Sequence, residues 1–336
     1  MKLLSIVVPC YNSQEYMAHA VDSLLPGGDD VEILIVDDGS HDNTAAIADE
    51  YQSRFPGIVR AIHQPNAGHG GAVMAGIRNA TGLYFKVVDS DDWVDDKAYP
   101  RVLATLKEHV TQPLDMLVSN YIYDKVGEEH KHVVHYRNAL PQGRVFGWNE
   151  AGHFRKGQYL LMHAVIYRTQ LLRDCGIDLP LHTFYVDDLY VYEPLPHVEK
   201  MMYLDADLYH YFIGRDDQSV QEQVMLRRID QYLKVNKLMI SRVNPFKDEN
   251  KVRRSYMLNF LEIITIVSTV LLIKSEKSGS LTGQKELWDW IKAENPDVYH
   301  ALRYRLSGVL LHLPIRIRRP VVTAGYGISR KIFGFN

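Results

Sequence analysis

Cysteine is nearly absent: Cys10 and Cys175 are the only two in 336 residues, and they show no metal-ligand or redox spacing. A disulfide framework and a thiolate metal centre are excluded, and so few thiols point to a reducing compartment, with the cytoplasm as the default. The chain has no internal repeat and no low-complexity tract. Its 46% hydrophobic and 24% charged residues describe an ordinary globular protein, long enough for two domains or for one domain with an extension. No GxGxxG follows the first apolar run and no GxxxxGK[ST] occurs, which argues against a dinucleotide-binding dehydrogenase and a P-loop enzyme. A long hydrophobic run is also missing. In residues 255–273 Asn259 and Glu262 interrupt the apolar pattern, and the part from Ile263 to Ile273 is about half of the roughly 20 residues a membrane span needs. A buried or membrane-dipping helix is expected there. The N-terminal MKLLSIVVPCYN has an apolar stretch only as long as a strand and runs into fold-like sequence, so no export signal is expected.

What is present alternates. LLSIVVPCY, VEILIVDDGS, IVRAIHQPN and LYFKVVDSDDW read as strands, and SQEYMAHAVDSLL, HDNTAAIADEYQSRF and GAVMAGIRNATG as the helices between them. This order implies a parallel sheet covered on both faces, whose ligands bind beyond the carboxyl ends of the strands. Two acidic clusters fall at such ends, Asp37-Asp38 and Asp89, Asp91 and Asp92. Aspartates so close together repel unless solvent, a counter-charge or a metal offsets them. Hard divalent cations such as Mg²⁺ and Mn²⁺ take carboxylate oxygens and keep substrate phosphates as further ligands. Asp42 reads as a helix cap, and Asp95 and Asp96 as a solvated turn before a helix near Tyr99.

Four segments in this order and spacing, IVVPCYN, IVDDGSHDNT, NAGHGGAVMAGIRNATG and VVDSDDW, resemble the nucleotide-sugar half of family 2 glycosyltransferases of the GT-A fold, an α/β, Rossmann-like architecture. The resemblance covers roughly residues 1–220 and is strongest in the first hundred. It implies that Pro9, Tyr11 and Asn12 border the donor's base, that Asp38 contacts it, and that Asp89 meets the donor ribose or sugar while Asp91 holds the metal. Asp92 is left as a second ligand or a cap. Gly68, Gly70 and Gly71 leave room for close backbone approach to a ligand or serve the turn. His69 among them has no role that the sequence assigns, a solvent-facing loop residue being one reading.

Family members often carry Glu-Asp followed two residues later by an aromatic. In HTFYVDDLYVYEPL the Glu position is Val186, so Asp187 is the expected base and Asp188 the reserve. A carboxylate flanked by Tyr185, Leu189 and Tyr190 gains basicity by desolvation. Within YHYFIGRDDQSV, Arg215 is placed to offset diphosphate charge or to pair with Asp216 or Asp217. His130, His132 and His135 lack a zinc-site context and are read as a polar hairpin, whereas His163 is expected to face the cleft.

Charge is uneven. Seven Lys or Arg and no Asp or Glu follow Asp297, which leaves residues 1–297 at −10 against −3 for the whole chain. Basic residues interleaved with apolar ones suit a peripheral helix on an anionic leaflet, or an element packed on the acidic part. No recognition motif accompanies them, so nucleic acid is not expected as a partner. The expected organisation is a catalytic domain over residues 1–220, in halves 1–100 and 101–220, and a helical extension over 221–336. The expected activity is inverting, metal-dependent transfer of a hexosyl group from UDP-glucose or UDP-galactose to diacylglycerol or a lipid-linked saccharide at the inner membrane face. The alternative is a non-catalytic nucleotide-sugar-binding scaffold subunit. The oligomeric state is not set by any sequence feature.

Overall fold

The computed structural model describes residues 2–125, 131–214, 218, 221–275 and 280–313. The chain divides into two compact units, Met1–Gly214 and Arg215–Asn336. Arg215 and the basic tail from residue 314 onward lie outside the described residues, as does His130.

The first unit is built on one sheet. Strands β1 (Leu4–Cys10), β2 (Val31–Asp37), β3 (Val59–His63) and β4 (Tyr84–Val87) are parallel and alternate with helices α1 (Met17–Leu24), α2 (Thr44–Arg54) and α3 (Gly68–Asn79). Every residue of β1 and β2 is buried, as continuous β-branched runs covered on both faces require. The acidic stretch after β4 does not continue that strand. It forms a loop to the two-residue strand β5 (Trp93–Val94), because its carboxylates find partners at the sheet edge rather than in a ladder.

After α4 (Ala98–Glu108) the chain adds β6 (Met116–Lys125), β7 (His132–Val134), β8 (Val145–Phe146), β9 (Val165–Arg168), α5 (Thr169–Asp174), α6 (Asp187–Tyr192) and β10 (Met201–Ile213). The strand order is β3-β2-β1-β4-β9-β6-β10-β5, with β7 on β6 and β8 on β10. Strand β9 is antiparallel to both neighbours, so the sheet is mixed beyond β4. His132 sits in the β6–β7 hairpin, paired with Tyr123. Asp95 accepts from the N–H groups of Lys97 and Ala98 and so starts α4, and Asp42 accepts from Thr44 ahead of α2.

The second unit is helical, with α7 (Glu222–Arg227), α8 (Ile229–Arg242), α9 (Lys251–Lys274), α10 (Ser280–Glu294), α11 (Pro296–Arg303) and α12 (Leu306–Leu311). Among the described residues α9 is the one helix long and apolar enough to cross a membrane, and 72% of its most apolar window is buried within the protein. Its buried face is partly polar. Asn236 of α8 donates to Thr265, and the Trp288 indole N–H of α10 donates to Thr269. These bonds tie α9 to its neighbours as a core helix.

Candidate active site

The register of the parallel strands collects the predicted residues at one edge. Cys10 pairs with Asp37, and Val7 with Val87, so the segments after β1, β2 and β4 leave the sheet together. Pro9 is buried in the ladder opposite Val36. Tyr11 is 47% exposed, with its ring edge-on to His41. Asn12 has a left-handed backbone (φ 51°), accepts from the His41 N–H and donates its own to Ser40. It therefore ties the first loop to the second.

Asp38 is engaged by the fold itself. Only 3% exposed, its carboxylate accepts from the Gln64 side chain at 2.7 Å, the Ala67 N–H at 2.8 Å and the Gly68 N–H at 2.7 Å. Three of about four acceptor positions are thus filled, two of them by the amides that open α3. Asp37 accepts from the Ser40 N–H and from His63. Burial opposes ionisation there, yet these bonds hold its carboxyl below the usual range.

Room made by the glycines after Asn66 is taken by protein, not left for a ligand. A Cβ on Gly68 would lie 2.9 Å from the backbone of His182, and one on Gly70 would lie 2.7 Å from the Pro180 carbonyl oxygen. One on Gly71 would collide with Ala67. The expected donor contact of Gly68 and Gly71 is replaced by docking of the 179–186 loop, whose His182 N–H donates to the Ala67 carbonyl at 2.8 Å. That loop holds two non-glycine residues in left-handed backbone, His182 (φ 48°) and Tyr185 (φ 66°). Such conformations cost on the order of 1–3 kcal/mol each and persist where the surroundings over-determine them.

The loop delivers Asp187 and Asp188 to the first turn of α6. Asp188 is 6% exposed, and burial, followed by the charge of Asp187, pushes its carboxyl well above the usual range. Asp187 is half-buried. Burial raises its pKa, His69 opposes this, and Asp89 adds to it. Asp89 moves the other way: burial disfavours its charge, but His69, with His163 and Lys86, lowers the pKa below the usual range.

His69 joins the two sides. It lies in the first turn of α3 with its side chain 29% exposed, and its Nε2 is 2.9 Å from Asp89 Oδ1. Burial works against its protonation, while Asp89, Asp187 and Asp91 together raise its pKa. It is no solvent-facing bystander, as its place between two glycines suggested.

A second counter-charge lies beneath. Lys86 of β4 is 1% exposed, donates to the His163 carbonyl at 2.9 Å and sits 5.0 Å from the centre of the Tyr209 ring. Burial pulls its pKa down to about 7 against the attraction of Asp89 and Asp92. The sequence did contain a signal for Lys86: a lone lysine inside an apolar strand that ends in aspartates. Asp92 is 1% exposed and accepts from the Tyr209 hydroxyl at 2.6 Å and the Phe212 N–H at 2.8 Å. It caps nothing downstream and instead binds this loop to β10. His163 does not face the cleft. It is buried under Tyr211, with ring centres 4.3 Å apart, and burial lowers its pKa to about 4.

One atom each from Asp89, Asp92 and His163 lies within 4.8 Å of the others, a grouping that could hold a cation. Two observations weigh against it. Both Asp92 oxygens already accept hydrogen bonds, and the buried Lys86 attracts the same carboxylates. Asp91, half-exposed in the same loop, fits better as the partner of Asp89 for a hard divalent cation, since both offer carboxylate oxygen and no thiolate is near.

A parallel α/β half extended by antiparallel strands, with acidic loops at its carboxyl edge, is the GT-A class of transferase fold. Residues 5–168 match the profile of glycosyl transferase family 2, and through this segment the chain belongs to that family. EpsH of Bacillus subtilis, which bears a glycosyltransferase name, is 24% identical over 308 residues, 86% of this chain and 81% of that protein. Two further curated relatives, at 41% and 38% identity, are matched over less than half of their own length. Among solved structures, S. aureus TarS 1–349 in complex with UDP-GlcNAc superposes with a TM-score of 0.69 at 20% identity, covering 98% of this chain and 92% of that one. The mannosyltransferase PcManGT from Pyrobaculum calidifontis, in complex with GDP-Man and Mn²⁺, gives 0.55 at 13% identity, covering 98% and 86%.

Proposed function

We propose that this glycosyltransferase moves a hexosyl group from a UDP-sugar, with inversion, onto a membrane-associated acceptor such as diacylglycerol or a lipid-linked saccharide. The observation that carries the reading is the docking of the loop that delivers Asp187 onto the first turn of α3, whose His69 bonds Asp89 at 2.9 Å, so that a donor-side carboxylate and a carboxylate of raised pKa are tied to one helix start. Asp187 takes the proton from the acceptor hydroxyl as its oxygen attacks the anomeric carbon. The bond from that carbon to the diphosphate oxygen breaks, and UDP leaves with the electron pair. Asp89 and Asp91 hold Mg²⁺ or Mn²⁺, which when bound supplies positive charge to the diphosphate. Tyr11 borders the base, and the remaining acceptor position of Asp38 is open to a base or ribose donor. Support for the donor class comes from the TarS complex with UDP-GlcNAc, and for the cation from the PcManGT complex with Mn²⁺. The basic, apolar tail supports a place on the inner face of the cell membrane, where each Lys or Arg adds about 1 kcal/mol of attraction to anionic lipid.

The test is UDP release by the purified chain from UDP-glucose, UDP-galactose and UDP-GlcNAc, with Mg²⁺ or Mn²⁺, in buffer and with anionic vesicles containing diacylglycerol. Release that vesicles stimulate and a chelator abolishes is expected. UDP binding without release under every condition would reject the enzyme reading in favour of a scaffold subunit.

A further inference from the structure

Among the described residues, His69 is the one side chain that hydrogen-bonds the Asp89 carboxylate, and it engages a single oxygen, Oδ1. The other oxygen is left for the donor side. The charges of Asp187 and Asp91 also act on this imidazole.

Its backbone is as constrained as its side chain. Gly68 and Gly70 flank it, and at each a Cβ would strike the backbone of the loop that ends in Asp187. The His182 N–H bond to Ala67 closes this joint at 2.8 Å. The first turn of α3 therefore touches the loop carrying Asp187 through its backbone and the loop carrying Asp89 through its imidazole. A displacement of either loop is felt at His69.

We propose that His69 is a positioning residue: its Nε2–H to Asp89, on a helix turn whose backbone is docked on the loop that delivers Asp187, sets the separation between the donor-side carboxylate and the base. It acts through these two groups and takes no part in bond making. Removing it unties the Asp89 side of the joint from the Asp187 loop and displaces the base from the acceptor hydroxyl. Misplacement of a reacting group by about 1 Å costs about 10²-fold.

The inference rests on the function proposed above, and its test separates the two. His69→Ala and His69→Gln are compared with the unaltered full chain for UDP release and, by calorimetry with Mn²⁺, for UDP affinity. A glutamine amide reaches where the imidazole Nε2 stands and keeps the hydrogen bond without the ring. The alanine variant is expected to lose about 10²-fold in kcat with the donor KM and UDP affinity changed less than about threefold, and the glutamine variant to recover at least about tenfold of that loss. Unchanged kcat in the alanine variant would overturn the proposal. So would a loss of UDP affinity as large as the loss of kcat, which would make His69 a donor contact, or a glutamine variant no better than alanine.

A double-mutant cycle on thermal unfolding reads the same bridge without any turnover. His69→Ala should lower the midpoint in the unaltered chain and change it much less in a chain carrying both Asp89→Asn and Asp187→Asn. Equal shifts in the two backgrounds would refute the bridge even if the chain proved to release UDP. A wild-type chain that released no UDP but showed the coupling would sink the enzymatic reading and leave the bridge standing.

Discussion

The loops after β2 and β4 look alike in sequence, each a buried parallel strand running into aspartates, yet the fold treats them differently. After β2, Asp37 and Asp38 spend their oxygens on Ser40, His63, Gln64, Ala67 and Gly68. After β4, Asp92 is buried with both oxygens consumed in this way, by Tyr209 and Phe212. Asp89 keeps one bond to a histidine, and Asp91 stays half-exposed. Acidic residues at a strand end mark a place where a ligand can bind; full burial with both oxygens bonded by the fold marks the ones spent on the scaffold.

The comparison sharpens under substitution. Asp187→Asn is expected to have the largest effect, a loss of about 10²- to 10⁴-fold in UDP release to acceptor with Mn²⁺-dependent UDP affinity retained; full transfer in this variant would move the base elsewhere. Lys86→Met removes the buried cation below Asp89 and Asp92. Denaturant unfolding should show a loss of about 1–3 kcal/mol, the cost of leaving the buried His163 carbonyl without its donor. A loss below about 1 kcal/mol would mean that this carbonyl does not need Lys86.

Asp38→Ala strands three donors and should cost about 1–3 kcal/mol. Asp91→Asn, by contrast, should change stability by less than about 0.5 kcal/mol while weakening UDP binding only when Mn²⁺ is present. If the two variants exchanged these signatures, the division between the clusters drawn here would fail.

The smallest effect is one of pH. Burial and Asp187 raise the Asp188 pKa in the folded chain above its unfolded value. Its proton therefore stabilises the fold at acid pH, and that contribution is lost as pH rises through the folded pKa. Asp188→Asn, which keeps a neutral group at all pH values, should raise the thermal midpoint at pH 8 and match wild type at pH 4. A midpoint difference independent of pH would contradict the raised pKa. Asp187 carries the same sign into the rate: as the base must be ionised, transfer should fall away on acidification at a higher pH than an ordinary aspartate would give.

Much of this was legible along the chain. The strands β1 to β4, the helices between them and the acidic strand ends follow from local periodicity and turn chemistry, which act over a few residues. So does the family resemblance, because its motifs are continuous segments. His69 and Lys86 left weaker traces, a histidine set between glycines and a lone lysine in an apolar strand, and neither trace named a partner. The partners lie far off in sequence. Asp92 is bonded to Tyr209 and Phe212, Lys86 to the carbonyl of His163, and Gly68 and Gly70 meet the 179–186 loop.

By itself, then, the order of residues determined the parallel core, the edge at which it binds and the aspartates gathered there, since all three arise from interactions within short segments. Only the tertiary structure decided which aspartates are spent on the fold, which cations balance the rest and which histidine stands between Asp89 and Asp187. Those outcomes depend on hydrogen bonds and burial between segments up to 120 residues apart, whose pairing no local pattern encodes.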